Sequence, residues 1–305
     1  MTDTKFVHRQ PLMSCAQVRA LDQFLIEEQR IPGYELMNRA GTASFRHLQH
    51  CWPEARHILV ICGTGNNGGD GWIVARCALE AGFTVNVALV GDTSRVTGDA
   101  RTAMETFLAV GPDFHRWTDG RPPQTQDVDV IVDALLGIGP RGALRARHEA
   151  VINEINAWNL PVLSLDAPSG LDADCGQPTP VAVRACHTLT FIGAKKGLYT
   201  GQAGDYTGGV TLAALGAEPA EGQGCQADAY LMHRNHLLTT LPRRGVAHHK
   251  GRSGHVLIIG GNQGYTGAAI LAARAALRTG AGLVSLASQA ATVNAAAIAQ
   301  PEIMA

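Results

Sequence analysis

The residues best placed to do chemistry lie in three stretches, each following a short apolar run. "HILVIC" leads into "GTGNNGGDG", residues 63–71; "VDVIVDALLG" leads into "IGPRGA", ending at Ala143; and "LPVLSLDAPSG" ends on Ser169 and Gly170. The first two contain G-x-G-x-x-G, at Gly63, Gly65 and Gly68 and at Gly137, Gly139 and Gly142. Glycines there let backbone N–H groups approach a phosphate without Cβ interference, and a helix N-terminus behind them favours an anion. Asp133 and Asp166 each close an apolar run. An Asp after a strand also serves as a cap or turn residue, and a lone G-x-G-x-x-G is common. Three such strand ends in one domain point to a ligand site. No Gly-Lys-Ser/Thr follows either glycine segment, which excludes a Walker loop. Asp92 stands where a dinucleotide site wants an acidic residue, so a nicotinamide-dependent dehydrogenase stays open. Asn66, Asn67, Gly69 and Asp70 belong to no ordinary dinucleotide fingerprint.

Such loops need a scaffold that brings strand ends together. Ser14 is expected to cap a helix running to about Arg30, with Val18, Leu21, Leu25 and Ile26 on one face. Pro32 and Gly33 break it, and Leu36, Met37, Ala40 and Ala43 mark a second helix up to about His50. Short apolar runs then alternate with helical stretches. "DGWIVARCALEAG" reads as a helix from Asp70 to Gly82, and "TVNVALVG" as a strand. "GDARTAMETFLAVG" and "ALRARHEAVINEINAWN" read as further helices, "CHTLTFIG" and "GGVTLAALG" as late strands suited to a sheet edge. Strands joined by helices imply parallel βαβ units, whose ligands bind outside the carboxyl ends of the strands. Composition loosens at "GAEPAEGQGCQADA", giving a first domain over residues 10–222 and a second over 223–305. The second opens a fresh strand–glycine loop–helix–strand pattern in "GHVLIIGGNQGYTGAAILAARAALRTGAGLVSLAS".

With 305 residues, 46% of them hydrophobic, the chain can fill one or two globular cores. The net charge of −1 gives no electrostatic reason to expect nucleic acid or an anionic membrane as partner. The start lacks an apolar signal-peptide core, and Arg274 and Arg278 interrupt the one stretch apolar enough to test as a membrane span. Seven cysteines without a C-x-x-C pair read as reduced thiols of a cytoplasmic protein. His248 and His249 lack metal-ligand spacing. A homo-oligomer is left open.

"GTGNNGGDG", "VDALLGIG", "LDAPSGLDADCG" and "FIGAKKGLYTG" occur in that order. Together they resemble the NAD(P)H-hydrate epimerase family. "HHKGRSGHVLIIGGNQGYTGAAILAARAALRTGAGLV" is similar to the start of the ADP-dependent NAD(P)H-hydrate dehydratases, which have a ribokinase-like fold, and the two are fused in this order in many bacteria. The resemblance covers roughly residues 10–305. It implies an α/β protein: a Rossmann-like three-layer domain with a parallel sheet, followed by an incomplete ribokinase-like α/β domain. It implies a metabolite-repair enzyme acting on NADHX or NADPHX. Asn66, Asn67, Gly68, Gly69 and Asp70 would line the pocket, and Gly137, Ile138, Gly139, Pro140, Arg141, Gly142 and Ala143 would form a second wall. Asp166 would meet the reacting end of the substrate, and Asn67, Asp133 and Ser169 would hold a potassium ion. One carboxylate with neutral oxygens suits such a hard cation. Pro140 departs from the family, which more often has Leu there, and offers no N–H. Ala167 replaces a larger aliphatic residue.

The implied chemistry is epimerisation at C6 of the hydrated nicotinamide ring. Asp166 is expected as the acid/base group, with Lys195 orienting it, since an adjacent ammonium favours a charged carboxylate. Lys196 is read as surface charge. The rivals are a dehydrogenase, a non-catalytic dinucleotide-binding scaffold, and a sugar-kinase-type enzyme built on the second unit. About 80 residues after Gln223 are few for a parallel α/β domain, and no later Gly-Asp segment follows Gly282. The expectations are therefore a fragment of a longer protein, no ADP-dependent dehydration, and exposed faces on an unfinished sheet.

Overall fold

The structure, a computed structural model, describes residues 10–117, 122–138, 144–217, 227, 229–232 and 244–304. It forms two compact units, Met1–Arg234 and Asn235–Ala305.

The first unit is built on a seven-stranded sheet: β2 (His57–Cys62), β3 (Thr84–Leu89), β4 (His115–Arg116), β5 (Val130–Ala134), β6 (Val162–Leu165), β7 (His187–Phe191) and β9 (Gly209–Ala213). The order is β4-β3-β2-β5-β6-β7-β9, and every pairing is parallel. "HILVIC" shows why the runs are unbroken rather than alternating. Ile58, Val60 and Cys62 enter one core with α2 (Gly33–Cys51) and α3 (Asn66–Glu80), whose Phe45, Leu48 and Trp72 are buried there. Leu59 and Ile61 enter the core on the other face, under Val151, Ile152 and Ile155 of α5 (Ala146–Ala157). A strand covered on both sides must be apolar at every position.

From β2 the chain runs outward through β3 and β4, returns to β5 on the other side of β2, and continues to β9. The loops after β2 and β5 therefore diverge, and this reversal is where an open parallel sheet forms its crevice. α4 (Gly98–Leu108) packs beside α3 on the outward arm.

A smaller three-stranded sheet, β10-β1-β8, adds β1 (Gln10–Met13), β8 (Ala194–Lys195) and β10 (Ala229–Leu231) to this unit. Met13 pairs with Lys195, so β1 carries α1 (Cys15–Glu27) to the mouth of the crevice. Ser14 caps α1 in a full capping box: its Oγ accepts from the Gln17 amide at 3.2 Å, and its own amide donates to Gln17 Oε1 at 2.7 Å.

In the second unit β11 (His255–Ile259) pairs parallel with β12 (Leu283–Ala287), joined by α6 (Thr266–Thr279) and followed by α7 (Ala290–Ala299). Ala269, Ala273, Val284, Leu286 and Ala296 form its core, while Leu257 is 61% and Ile259 80% exposed. Among the described residues no helix is long and apolar enough to cross a membrane.

Two expectations need correcting. The third helix starts at Asn66, not Asp70, so the Asn-Asn-Gly-Gly segment is its first turn rather than a loop before it. Of the two late strands only β9 is at an edge; β7 is interior, between β6 and β9. The polar and glycine residues of the helix start disguised its boundary, and burial by neighbouring helices overrides their weak propensity.

Candidate functional site

A cleft of about 1080 Å³ opens at the carboxyl ends of β2, β5, β6 and β7. Its floor is a buried ion pair. Asp166 follows β6 directly, in the left-handed region with φ of +66°, a conformation an L-residue holds only where its surroundings impose it. The Asp166 amide donates to the Leu189 carbonyl at 2.7 Å, fixing the turn against β7. Asp166 Oδ1 meets the Lys195 ammonium, and Oδ2 accepts from the Ile138 amide at 3.4 Å. Lys195 is 1% exposed and uses all three donors: Asp166, Thr190 Oγ1 at 2.9 Å and the Phe191 carbonyl at 2.8 Å. The adjacent Lys196 is half-buried and opens a 3-10 turn.

The first turn of α3 forms one wall. Gly65 caps α3 without a side-chain hydrogen bond, so the cap residue takes up none of the N–H groups at this helix start. Asn66, Asn67, Gly68 and Asp70 line it, while Gly69 is turned away, against Met37 and Ala100. Gly63 and Gly68 serve packing rather than a ligand: a Cβ on Gly68 would fall on the Gly63 carbonyl oxygen, and one on Gly63 on that of Leu135. Only Gly65 of the three fingerprint glycines has open space around the missing Cβ.

The second wall is Leu135–Ile138, after β5. Gly137 and Ile138 line the cleft, and a Cβ on Gly137 would lie 3.2 Å from Asn67 Cβ and 3.5 Å from Asp166 Oδ2. The remaining residues expected there, Gly139, Pro140, Arg141, Gly142 and Ala143, lie outside the described residues.

Behind this wall Asp133 is fully buried. Its oxygens accept from Ser164 Oγ at 2.8 Å, Ser169 Oγ at 2.6 Å, and the amides of Ser169 and Leu135 at 2.9 and 3.3 Å. Burial raises its carboxyl above the ordinary range, opposed by those neutral donors, the Ser169 hydroxyl first. Ser169 Oγ also accepts from the Leu136 amide at 2.8 Å. Asn67 has both side-chain polar atoms buried and without a hydrogen-bond partner. A buried amide oxygen in that condition costs free energy unless a ligand or ion meets it.

Several cleft residues escaped sequence reasoning. Asp22, on α1, is one of them, and with Asp70, which was expected in the pocket, it feels the charges of the ion pair. Burial raises Asp70 well above the ordinary carboxylate range, reinforced by Asp166 and Asp22 and opposed by Lys195. Burial and Asp166 raise Asp22 as well. Arg19, Arg95, Arg145 and Arg147 also line the cleft. Burial, then Arg145, Arg147 and Arg95, hold His148 below the ordinary imidazole range. The one available signal was "ALRARH", whose arginines fall at the cap and first turn of α5 rather than on its outer face. Asp92 is exposed and accepts from the Ser94 amide at 2.9 Å, capping a 3-10 turn, and it does not line the cleft.

The family model described as YjeF-related protein N-terminus matches residues 33–197, and the model described as NAD(P)H-hydrate dehydratase matches residues 256–305. The chain is 41% identical over 94% of its length to a "Bifunctional NAD(P)H-hydrate repair enzyme Nnr" of Coxiella burnetii, covering 58% of that protein. It is 40% identical over 89% of its length to the Escherichia coli protein of the same name, covering 52% of it. It is 38% identical over 92% of its length to a "Bifunctional NAD(P)H-hydrate repair enzyme" of Leishmania infantum, covering 51% of it. The chain thus spans a little over half the length of these relatives. The crystal structure of the yeast protein YNL200c superposes with a TM-score of 0.57 at 20% identity, over 66% of this chain and 86% of that one, which shows the shared fold. With more than half of its residues matched by a single family model, the chain belongs to the YjeF-related protein N-terminus family.

Proposed function

We propose that this chain epimerises NAD(P)H-hydrate, interconverting the R and S forms of NADHX and NADPHX at C6 of the nicotinamide ring. The observation that carries the reading is the Asp166–Lys195 pair at the floor of a cleft walled by a helix start and four arginines. Arginines and helix N–H groups suit the diphosphate of a dinucleotide. The relatives named above are repair enzymes for this class of compound.

In the substrate the C6 hydroxyl sits beside the ring nitrogen. Protonation of that hydroxyl breaks the C6–O bond and releases water, while the nitrogen lone pair forms C=N⁺. Water then adds to the opposite face and gives up a proton, so the centre inverts and protons balance. The reaction needs one protonated and one ionised group. Asp70, whose carboxyl burial shifts towards the protonated form, supplies the proton. Asp166, paired with Lys195, receives the one released by the incoming water, and the roles exchange in the reverse direction. The direct test incubates the purified chain with one epimer of NADHX and follows both by chromatography. The other epimer is expected to appear; continued absence of it would remove the proposal in favour of a binding scaffold.

Asp70 carries a pH prediction. Its folded carboxyl is raised, so between the ordinary carboxylate range and that raised value the native chain holds a proton the unfolded chain has released. Stability therefore falls as pH rises through this window. Asp70→Asn is expected to flatten that fall in denaturant midpoints measured against pH, and to slow epimerisation. Parallel pH profiles for the two proteins would show that Asp70 is not held protonated.

Of the residues proposed for potassium, Asn67 fits it best, with an unpartnered buried oxygen; Asp133 brings a buried carboxylate that already accepts from four neutral donors, two of them on Ser169, and would exchange one of these for the ion. Such an ion would neutralise charge beside the substrate, with Asn67, Asp133 and Ser169 holding it. Exchange of potassium for tetramethylammonium is expected to slow epimerisation in the wild type and to change little in Asn67→Leu; equal sensitivity in both would exclude Asn67 as a ligand.

The reading includes a cytoplasmic setting, as for a chain of seven cysteines without a C-x-x-C pair. ADP-dependent dehydration is not part of the proposal for this chain.

A further inference from the structure

A second cluster of reactive side chains lies at the opposite end of the sheet from the cleft. His47 and Cys51 stand four residues apart near the C-terminal end of α2 and so share one face of that helix. His187 is the first residue of β7. Phe191, at the other end of β7, lines the cleft, and four strand residues span about 13 Å. The cluster is therefore separate from the Asp166–Lys195 floor.

One ligand-capable atom from each of the three residues lies within 4.8 Å of the other two. Cys51 Sγ is 3.4 Å from His47 Nε2. A tetrahedral Zn²⁺ with Zn–N of about 2.0–2.1 Å and Zn–S of about 2.3 Å has an N···S edge of about 3.6 Å. The helix therefore already presents two ligands at close to the required separation, and the third lies within 4.8 Å of both. Neighbours hold the rings: His187 meets the Trp52 ring edge-on at 5.3 Å and the His47 ring at 5.7 Å. Gly209, paired with His187 across β7 and β9, keeps space clear, since a Cβ there would lie 2.9 Å from His187 Nδ1. A cavity of about 440 Å³ opens over the cluster and admits solvent.

We propose that His47, Cys51 and His187 form a binding site for a Zn²⁺-class transition-metal ion, with solvent in the fourth position. The donor set decides the class: two imidazoles and a thiolate suit Zn²⁺ and its soft or borderline neighbours and do not suit magnesium, calcium or potassium. Ligation requires a neutral imidazole and a thiolate, so binding releases the Cys51 proton. An ion there ties the end of α2 to the start of β7 and adds a cross-link that the unfolded chain lacks.

Titration of the full purified chain with Co²⁺ tests the site, because a thiolate ligand gives a sulfur-to-cobalt charge-transfer band. One equivalent is expected to produce that band, and Zn²⁺ to displace it. Cys51→Ser is expected to abolish it, while His47→Gln and His187→Gln weaken binding by more than about tenfold. Cys186→Ser, one residue from His187 and exposed, is expected to keep it. Zn²⁺ is also expected to raise the thermal midpoint of the wild type and not of Cys51→Ser. Circular dichroism identifies a variant that fails to fold, and the two histidine variants then carry the test. No band at stoichiometric Co²⁺, or a band that survives Cys51→Ser and disappears in Cys186→Ser, overturns the assignment.

Discussion

Asp166→Asn is expected to lower the rate of epimerisation by about 10²–10⁴-fold, the usual contribution of a positioned acid–base group. Asparagine has the shape of aspartate, and its amide oxygen can still accept from the Lys195 ammonium, so the floor of the cleft keeps its packing at the cost of the long Ile138 amide bond, whose acceptor becomes an NH2 group. What it loses is the ability to take a proton from incoming water. Asp166→Ala is a poorer probe, because it leaves the Lys195 ammonium, 1% exposed, with only Thr190 and the Phe191 carbonyl. The measurement is kcat and KM for epimer interconversion, with circular dichroism and substrate binding as controls. A loss confined to kcat supports a role in the chemical steps. An Asp166→Asn rate near that of the wild type would end the acid–base assignment. The same assay separates the rivals: a scaffold binds without turnover, and a dehydrogenase changes nicotinamide absorbance in the presence of a reductant or oxidant. Asp92, the residue that kept the dehydrogenase open, is used up as the cap of a 3-10 turn.

The sheet was legible because its strands are covered on both faces. Runs such as "HILVIC" and "VIVDA" can be little else, and the helices between them force parallel pairing. The acidic residues at strand ends were legible for the same reason, since a polar residue that closes a buried run must sit at its mouth. Asp166 is found there, directly after β6, whereas Asp133 stays within β5, fully buried behind the cleft wall. The start of α3 was not legible, because Asn66 to Gly69 have weak helix propensity and are held by packing against Met37, Ala100 and Gly63. Asp22 was hidden for a different reason. On an amphipathic helix a polar residue reads as solvent-facing, and only the β1–β8 pairing turns α1 so that Asp22 faces Asp166 and Lys195. Lys195 and Lys196 are indistinguishable by local pattern; the register of Lys195 with Met13 buries one, and the turn that follows leaves the other half-buried. The His47–Cys51–His187 cluster depends on a contact across about 140 residues, which no short motif encodes.

Lys195→Met is expected to cost the first unit about 3 kcal/mol of stability. Breaking a buried ion pair by removing one partner typically costs about 3–5 kcal/mol, because the surviving charge stays desolvated. The lower end applies here because the Asp166 side chain keeps 11% exposure to the cleft and can draw on water there. Methionine fills the volume of the lysine stem, so the loss reports the ammonium and its bonds to Asp166, Thr190 and Phe191 rather than a cavity. For a unit of this size about 3 kcal/mol lowers the thermal midpoint by roughly 6–12 °C. The ion pair also makes a prediction about coupling. If the cost arises from a stranded carboxylate, Asp166→Asn in the same chain removes that carboxylate, and the double variant should be more stable than the sum of the single losses implies. Additive losses would mean that Lys195 stabilises the unit through Thr190 and the end of β7, independently of Asp166. Epimerisation divides the two cases further: a lysine that positions Asp166 loses kcat when replaced, whereas one that only braces β7 loses stability and keeps its rate below the melting transition.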